Sequence, residues 1–358
     1  MRLDRCLASS LVLVALFASP PSAGAANPLT VGNGTAASCT ETALQFALAF
    51  AAIHGGGTIK FNCGRAPVII TLTDTLTIPN NTTIDGGGLI TLSRSSTSLV
   101  EDLILVDHSS TAILKSLAFN RAGNTAGFAL FSEGTLTIKD STFSENFVTV
   151  LNEGTLTVIS TTFSDNGSFV AVGAIWNKGT LHVKNSLFSH NVAGSGGGIL
   201  SDGTLSVENS TFVQNEGDGG FGSGGAIVNA FGTATIKTSW FSRNDAAAGG
   251  AIANFAALTV KNTVFDGIGA GPSNIVNAMA GGGIFNGGEA TVSNSLFVGN
   301  VASIFGGAVF NHGALSVSNS TITGNTAGVD GGGIYTCVAG DPAFFCFDVG
   351  SLELKTPS

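Results

Sequence analysis

Residues 134–146 read Gly-Thr-Leu-Thr-Ile-Lys-Asp-Ser-Thr-Phe-Ser-Glu-Asn, and the chain then restates that phrase with variations almost to its end. The eight blocks open at Gly134, Gly154, Gly179, Gly203, Gly232, Ala256, Gly288 and Gly313, with starts 20, 25, 24, 29, 24, 32 and 25 residues apart. A unit of about 24 residues without a helix-forming stretch cannot bury an apolar face alone, so neighbouring units must stack. The expected body is a single elongated solenoid rather than a string of domains.

Counting from the opening residue as zero, position +2 holds Leu136, Leu156, Leu181 and Leu205, and +4 holds Ile138, Val158, Val183 and Val207, with polar Thr137, Thr157, His182 and Ser206 between. That alternation is the period of a half-buried strand. Position +9 is Phe143, Phe163, Phe188, Phe212, Phe241, Phe265 and Phe297, then Ile322. Since +4 and +9 differ in parity, the chain must bend between them. Position +6 supplies the bend with Asp140, Asn185, Asn209, Asn262, Asn294 and Asn319, residue types that tolerate left-handed backbone; Ser160 and Thr238 are exceptions.

A third strand is expected around each Gly-Gly-(Gly/Ala)-Ile, as at 197–199, 249–252 and 306–309. Two asparagine rows recur, one at +12 (Asn146, Asn166, Asn191, Asn215, Asn244, Asn300, Asn325) and one at Asn177, Asn229, Asn254, Asn286 and Asn311. Stacked at the strand spacing of about 4.8 Å, like side chains would lie over one another. The reading is all-β: a right-handed parallel β-helix of about 24 residues per coil, the hand being that of parallel crossovers.

Composition agrees. Hydrophobic residues make up 44% and charged residues only 10%, with 25 Phe against 1 Tyr, which fits dry aromatic positions rather than disorder. Residues 1–26 read as a secretory signal: Arg2 and Arg5, the apolar run Leu7–Phe17, then small residues at 23–26. Losing them removes Arg2, Arg5 and Asp4, so the formal charge of −9 becomes −10. An acidic chain is a poor nucleic-acid binder, and no later segment is apolar enough to cross a bilayer as a helix. In an exported chain Cys39, Cys63, Cys337 and Cys346 read as two local disulfides. Residues 27–75 are expected to cap the solenoid, with a helix at 41–53 started by Ser38 or Thr40 and closed by Gly55-Gly56-Gly57. Residues 76–358 would form the β-helix, and the motif restarts at Gly350-Ser351-Leu352-Glu353-Leu354.

The pairing of Gly-Gly-(Ala/Gly)-Ile with Phe-x-x-Asn, clearest at 249–252, 306–309 and Phe297/Asn300, resembles the polymorphic outer membrane protein repeat. The front segment, from Val31-Gly32-Asn33-Gly34 through Phe61-Asn62-Cys63 to Asp85-Gly86-Gly87-Gly88, looks like the start of large secreted bacterial β-helix proteins of the pectate-lyase-like superfamily. The resemblance implies a secreted or surface-exposed, often adhesive protein of the cell outer membrane.

Function is less legible, because one fold hosts many activities. The leading expectation is a monomeric, non-enzymatic, adhesin-like module that binds an extracellular glycan or cell-surface component and needs no cofactor. A polysaccharide lyase or glycoside hydrolase would need carboxylates on neighbouring coils, as acid and base or to hold Ca²⁺. Position +11 offers Glu145 and Asp165, followed by His190, Gln214 and Arg243, then glycine; Glu145 and Asp165 are the candidate Ca²⁺ ligands and all three titratable residues the candidate catalytic row. Lys139, Lys184, Lys237 and Lys261 share +5 with Glu208 and Ile159 and read as a solvated face. Thr-x-Thr at 135/137, 155/157 and 233/235 would suit an ice-binding array, but His182, Glu289 and Ala314 interrupt it.

Overall fold

The computed structural model describes residues 29–96, 102–123, 127–168, 172–217, 224–270, 280–337 and 350–355. It is a parallel β-solenoid closed at one end by a helix, and every strand pairs in parallel with the equivalent strand one coil away. Register follows the repeat without slippage. Leu136, Leu156, Leu181, Leu205, Ala234, Leu258, Ala290, Leu315 and Leu352 are successive partners, so the motif that restarts at Gly350 adds one further strand, Ser351–Lys355.

The coil opening at Gly134 has the expected three extended pieces, and each of the seven from Gly154 to Gly313 has four. A five-residue strand such as Thr180–Lys184 and a three-residue strand such as Leu187–Ser189 belong to one 22-stranded sheet. Two-residue strands such as Val192–Ala193 form a narrow 7-stranded sheet, and strands such as Ile199–Ser201 form an 11-stranded one. The additional piece arises because the chain, once past the +12 asparagine, is extended again for two residues before the variable loop.

The bends have one cause. All eight +6 residues have φ between 47° and 53°, including Ser160 (48°) and Thr238 (49°), so the two sequence exceptions adopt the left-handed conformation too. The same applies at +11: Glu145, Asp165, His190, Gln214 and Arg243 have φ from 52° to 56°, and Gly267, Gly299 and Gly324 continue the row at 58° to 64°. Two left-handed residues five apart turn the chain twice, reversing side-chain parity each time. That lets +2, +4, +9 and +12 all point inward.

The core is built of stacks. Phe119, Phe143, Phe163, Phe188, Phe212, Phe241, Phe265 and Phe297 are fully buried. Their ring centroids lie 4.4 to 5.1 Å apart with planes within 10° of parallel. Those spacings exceed the carbon contact distance of about 3.5–4.0 Å, so the rings are offset, the arrangement their quadrupoles favour. Beside them runs the +12 ladder. Asn191, for example, donates Nδ2 to the Phe163 carbonyl (3.0 Å) and to Asn215 Oδ1 (2.9 Å), while its own Oδ1 accepts from the backbone N–H and Nδ2 of Asn166.

On the third sheet Asn152 bonds Asn177, and Asn229, Asn254, Asn286 and Asn311 bond in series. That ladder starts twice, after Ser132 and after Ser201. At both starts the first asparagine oxygen, Asn152 Oδ1 and Asn229 Oδ1, is buried without a partner, because the preceding serine has no amide to donate.

The opening glycines are needed for close approach. A Cβ on Gly203 would collide with the carbonyl oxygen of Gly179, one coil below.

The cap helix α1 spans Glu41–Ile53 and buries Leu44, Ala47, Leu48 and Ala51 against the first strands. Thr40 is its N-cap, its hydroxyl accepting from Ala43 N. Ser38 instead serves the preceding turn, donating to the Thr35 carbonyl and accepting from Asn33 N. At the other end Gly55 is left-handed and Gly56 N–H bonds the Ala51 carbonyl, a Schellman closure. Glu41 fastens the helix to the sheet by accepting from both Thr73 and Asp74 N–H, and the Cys39–Cys63 disulfide pins its start. Cys337 is disulfide-bonded as well; Cys346, its expected partner, and the signal segment lie outside the described residues.

Candidate functional site

The outer face of the five-residue strands carries positions +1, +3 and +5. Over the last coils +1 and +3 are short except at Glu289 and Glu353, and the surface dips into an open groove of about 460 Å³. Thr235, Thr259, Thr291 and Ser316 floor it, and Glu289 and Glu353 are its carboxylates. The Thr-x-Thr pairs lie on this same face.

One edge of that face is basic, further than the repeat foretold. Every lysine in the chain except Lys178 falls in the +5 row, which begins in the irregular coils with Lys60, Asp85 and Lys115. It runs on through Lys139, Lys184, Glu208, Lys237 and Lys261 to Lys355, interrupted by Ile159, Ser293 and Ser318. Asp85 pairs with Lys115 at 3.3 Å and Glu208 with Lys184 at 3.2 Å, so each acid in the row neutralises one neighbour. Lys139, Lys237 and Lys261 are exposed and have no carboxylate partner among the described residues. The pattern was hidden because Lys60, Lys115 and Lys355 lie outside the eight recognisable blocks.

Glu145, Asp165 and His190 are brought onto one edge in successive coils, as their shared position requires, but as exposed turn residues. The left-handed backbone at +11 explains why the row drifts to glycine. Glu145 is already engaged, its Oε2 lying 2.7 Å from Arg121 Nη2 one coil below. No group of three or more His, Cys, Asp or Glu side chains that could hold a metal ion exists among the described residues. Beside it, Arg94 is buried and donates to the carbonyls of Ala122 and Phe128. Burial draws its guanidinium below the usual arginine range, against the pull of Asp102.

A further row escaped the sequence reading. The central residue of each third-sheet strand is apolar: Phe131, Leu151, Trp176, Leu200, Val228 and Ala253, then Phe285, Phe310 and Tyr335; Leu151, Val228, Ala253 and Phe310 are buried, Phe310 in a small second cluster with Phe285 and Tyr335. Its signal was an apolar residue of changing type in each Ile-x-Asn triplet.

A family model described as a right handed beta helix region matches residues 83–231. No curated protein matches the chain. Among solved structures it is similar to the A-module of the mannuronan C-5 epimerase AlgE4 of Azotobacter vinelandii, at 12% identity and TM-score 0.46 over 86% of this chain and 99% of that one. It is similar as well to PfbA, a surface adhesin of Streptococcus pneumoniae, at 11% identity and TM-score 0.45 over 86% and 93%. The AlgE6 A-module of A. vinelandii gives 12% and 0.45 over 92% and 100%. Such distant likenesses transfer no activity to this chain. The family match agrees with a right-handed winding, and parallel pairing of successive coils continues it through the other described coils, with one register shift between Asp85 and Ile90.

Proposed function

We propose that this protein is an extracellular or surface-displayed binding scaffold that holds an extended acidic glycan along the outer face of the five-residue strands. The observation that carries the reading is the hydroxyl-floored groove running across successive coils beside an edge of lysines. Each coil advances by about 4.8 Å, and hydroxyls recur at +3 from Thr235 to Ser316 with lysines at +5 in Lys237, Lys261 and Lys355, so the surface suits a linear polymer rather than a compact molecule. Lysine ammoniums along the edge would face the polymer's carboxylates, while threonine and serine hydroxyls, with Glu289 and Glu353 as acceptors, meet its hydroxyl groups. The Cys39–Cys63 disulfide supports a destination outside the reducing cytoplasm, in keeping with residues 1–26 as an export signal.

The test is a glycan array with the whole chain, followed by a lyase and hydrolase screen on every glycan captured. Capture of acidic polymers should weaken with salt, fall in Lys237→Glu/Lys261→Glu, and be lost when Thr259→Arg fills the groove. Capture of none, or release of cleaved product, would sink the binding-scaffold reading.

A further inference from the structure

In a solenoid set by stacking, most residues of a row are alike, so departures that meet at one place are informative. Several meet around Trp240. Position +8 faces outward on the three-residue strands and holds Thr142, Thr162, Leu187, Thr211, Val264, Leu296 and Thr321; Trp240 alone is aromatic. Position +10 is otherwise Ser, Val or Thr in the repeat blocks, and Asp266 is its single charged member. Position +11 loses its side chains at Gly267, where an added Cβ would meet nothing within 4 Å. Ile268, next in the chain, interrupts the asparagine ladder.

Register sets Trp240 beside Val264 and Ser242 beside Asp266, with Arg243 at the turn. Trp240, Arg243 and Asp266 line one cavity of about 470 Å³ with Val213, Ser242 and Gly267. Trp240 is 45% exposed. Its indole N–H has no acceptor among the described residues, and the side chains of Arg243 and Asp266 have no ion-pair partner there. Trp176 offers the contrast: its indole N–H is held by Asp202 at 2.8 Å and its ring is covered by Lys178.

The geometry points to a subsite for one neutral hexose unit of a glycan at Trp240, Arg243 and Asp266. The indole offers a flat apolar face for the C–H side of a pyranose ring. Asp266 accepts from ring hydroxyls and Arg243 donates to them, a pair that reads hydroxyls in both senses. Their charges cancel locally, which favours an uncharged ring over a uronate or a basic peptide. The subsite lies around the Thr238 and Asn262 bend from the groove and does not depend on the acidic-glycan reading.

The whole chain carrying Trp176→Phe leaves Trp240 as the only indole, since the sequence has 2 Trp. Titration with neutral hexose oligosaccharides should give a saturable change in its emission. Asp266→Asn and Arg243→Gln should each raise the apparent Kd about tenfold or more, the scale of a lost hydrogen bond to a charged group. By calorimetry Trp240→Phe should keep weak binding and Trp240→Ala none, both with unaltered circular dichroism. Thr259→Arg, which blocks the groove, should leave the Trp240 response intact, so the two readings fail separately. The subsite is refuted if no neutral hexose oligosaccharide gives a saturable change, if the change survives the combined Asp266→Asn and Arg243→Gln variant, or if only uronates or basic peptides produce it.

Discussion

The asparagine ladder can be tested at Asn191, whose side chain is fully buried and makes four hydrogen bonds within 3.1 Å. Asn191→Leu keeps the volume and removes all four. The Asn166 amide N–H then loses its acceptor, and the Phe163 carbonyl loses its side-chain donor. Asn166 Nδ2 keeps the Phe143 carbonyl and Asn215 Oδ1 keeps the Asn191 backbone N–H, so those groups stay paired. The carbonyl sits within the paired strands, so one buried group, the Asn166 N–H, is left unpaired at about 1–3 kcal/mol, and the lost second bond to the carbonyl adds about 1 kcal/mol, for a loss of about 3 kcal/mol. Asn191→Asp should be worse near neutral pH, since it sets a carboxylate oxygen against the Phe163 carbonyl and Asn215 Oδ1 and buries a charge. Both effects raise the introduced acid's pKa in the folded state, so the fold binds that proton more tightly than the unfolded chain does. The deficit must therefore shrink as pH falls through the raised pKa and grow as pH rises. Urea unfolding followed by circular dichroism, at mildly acidic and mildly alkaline pH, measures both, and hydrogen exchange at the Asn166 amide locates the damage. A loss below about 1 kcal/mol for Asn191→Leu, or a pH-independent deficit for Asn191→Asp, would refute the claim that the ladder is a paired network whose members depend on one another.

Three further outcomes follow from the same geometry. Ser201→Asn should give Asn229 Oδ1 the donor it lacks and raise stability by about 1–2 kcal/mol, read as a higher urea midpoint; an unchanged or lower midpoint would show that the serine answers a packing need. Thr238→Asn should stabilise by about 1 kcal/mol, because a β-branched residue is strained at φ 49° where its row mates are mostly Asn; calorimetry would show a raised Tm, and a fall would contradict the left-handed assignment. Gly203→Val should unfold or loosen the coils on either side, since its Cβ has no room against the Gly179 carbonyl; a wild-type melting profile and exchange pattern would exclude that close approach.

The sequence alone decided the winding. Fixed offsets within a recurring phrase, apolar at +2, +4 and +9 with a parity change between, admit a stacked parallel coil, and the register from Leu136 to Leu352 follows those offsets. The cap helix was legible for a similar reason: Thr40, the run 41–53 and Gly55-Gly56 are local signals whose meaning hardly depends on distant contacts. Tertiary structure decided what each row does. Position +11, which holds the candidate row Glu145, Asp165 and His190, is a left-handed turn, and that backbone conformation cannot be read from a row of unlike side chains. The lysine edge was invisible at Lys60, Lys115 and Lys355, which share no local phrase with the repeat and join it only through strand pairing. Trp240 and Asp266 are 26 positions apart in the chain and become neighbours because one coil returns the backbone to nearly the same place, about 4.8 Å further along the axis.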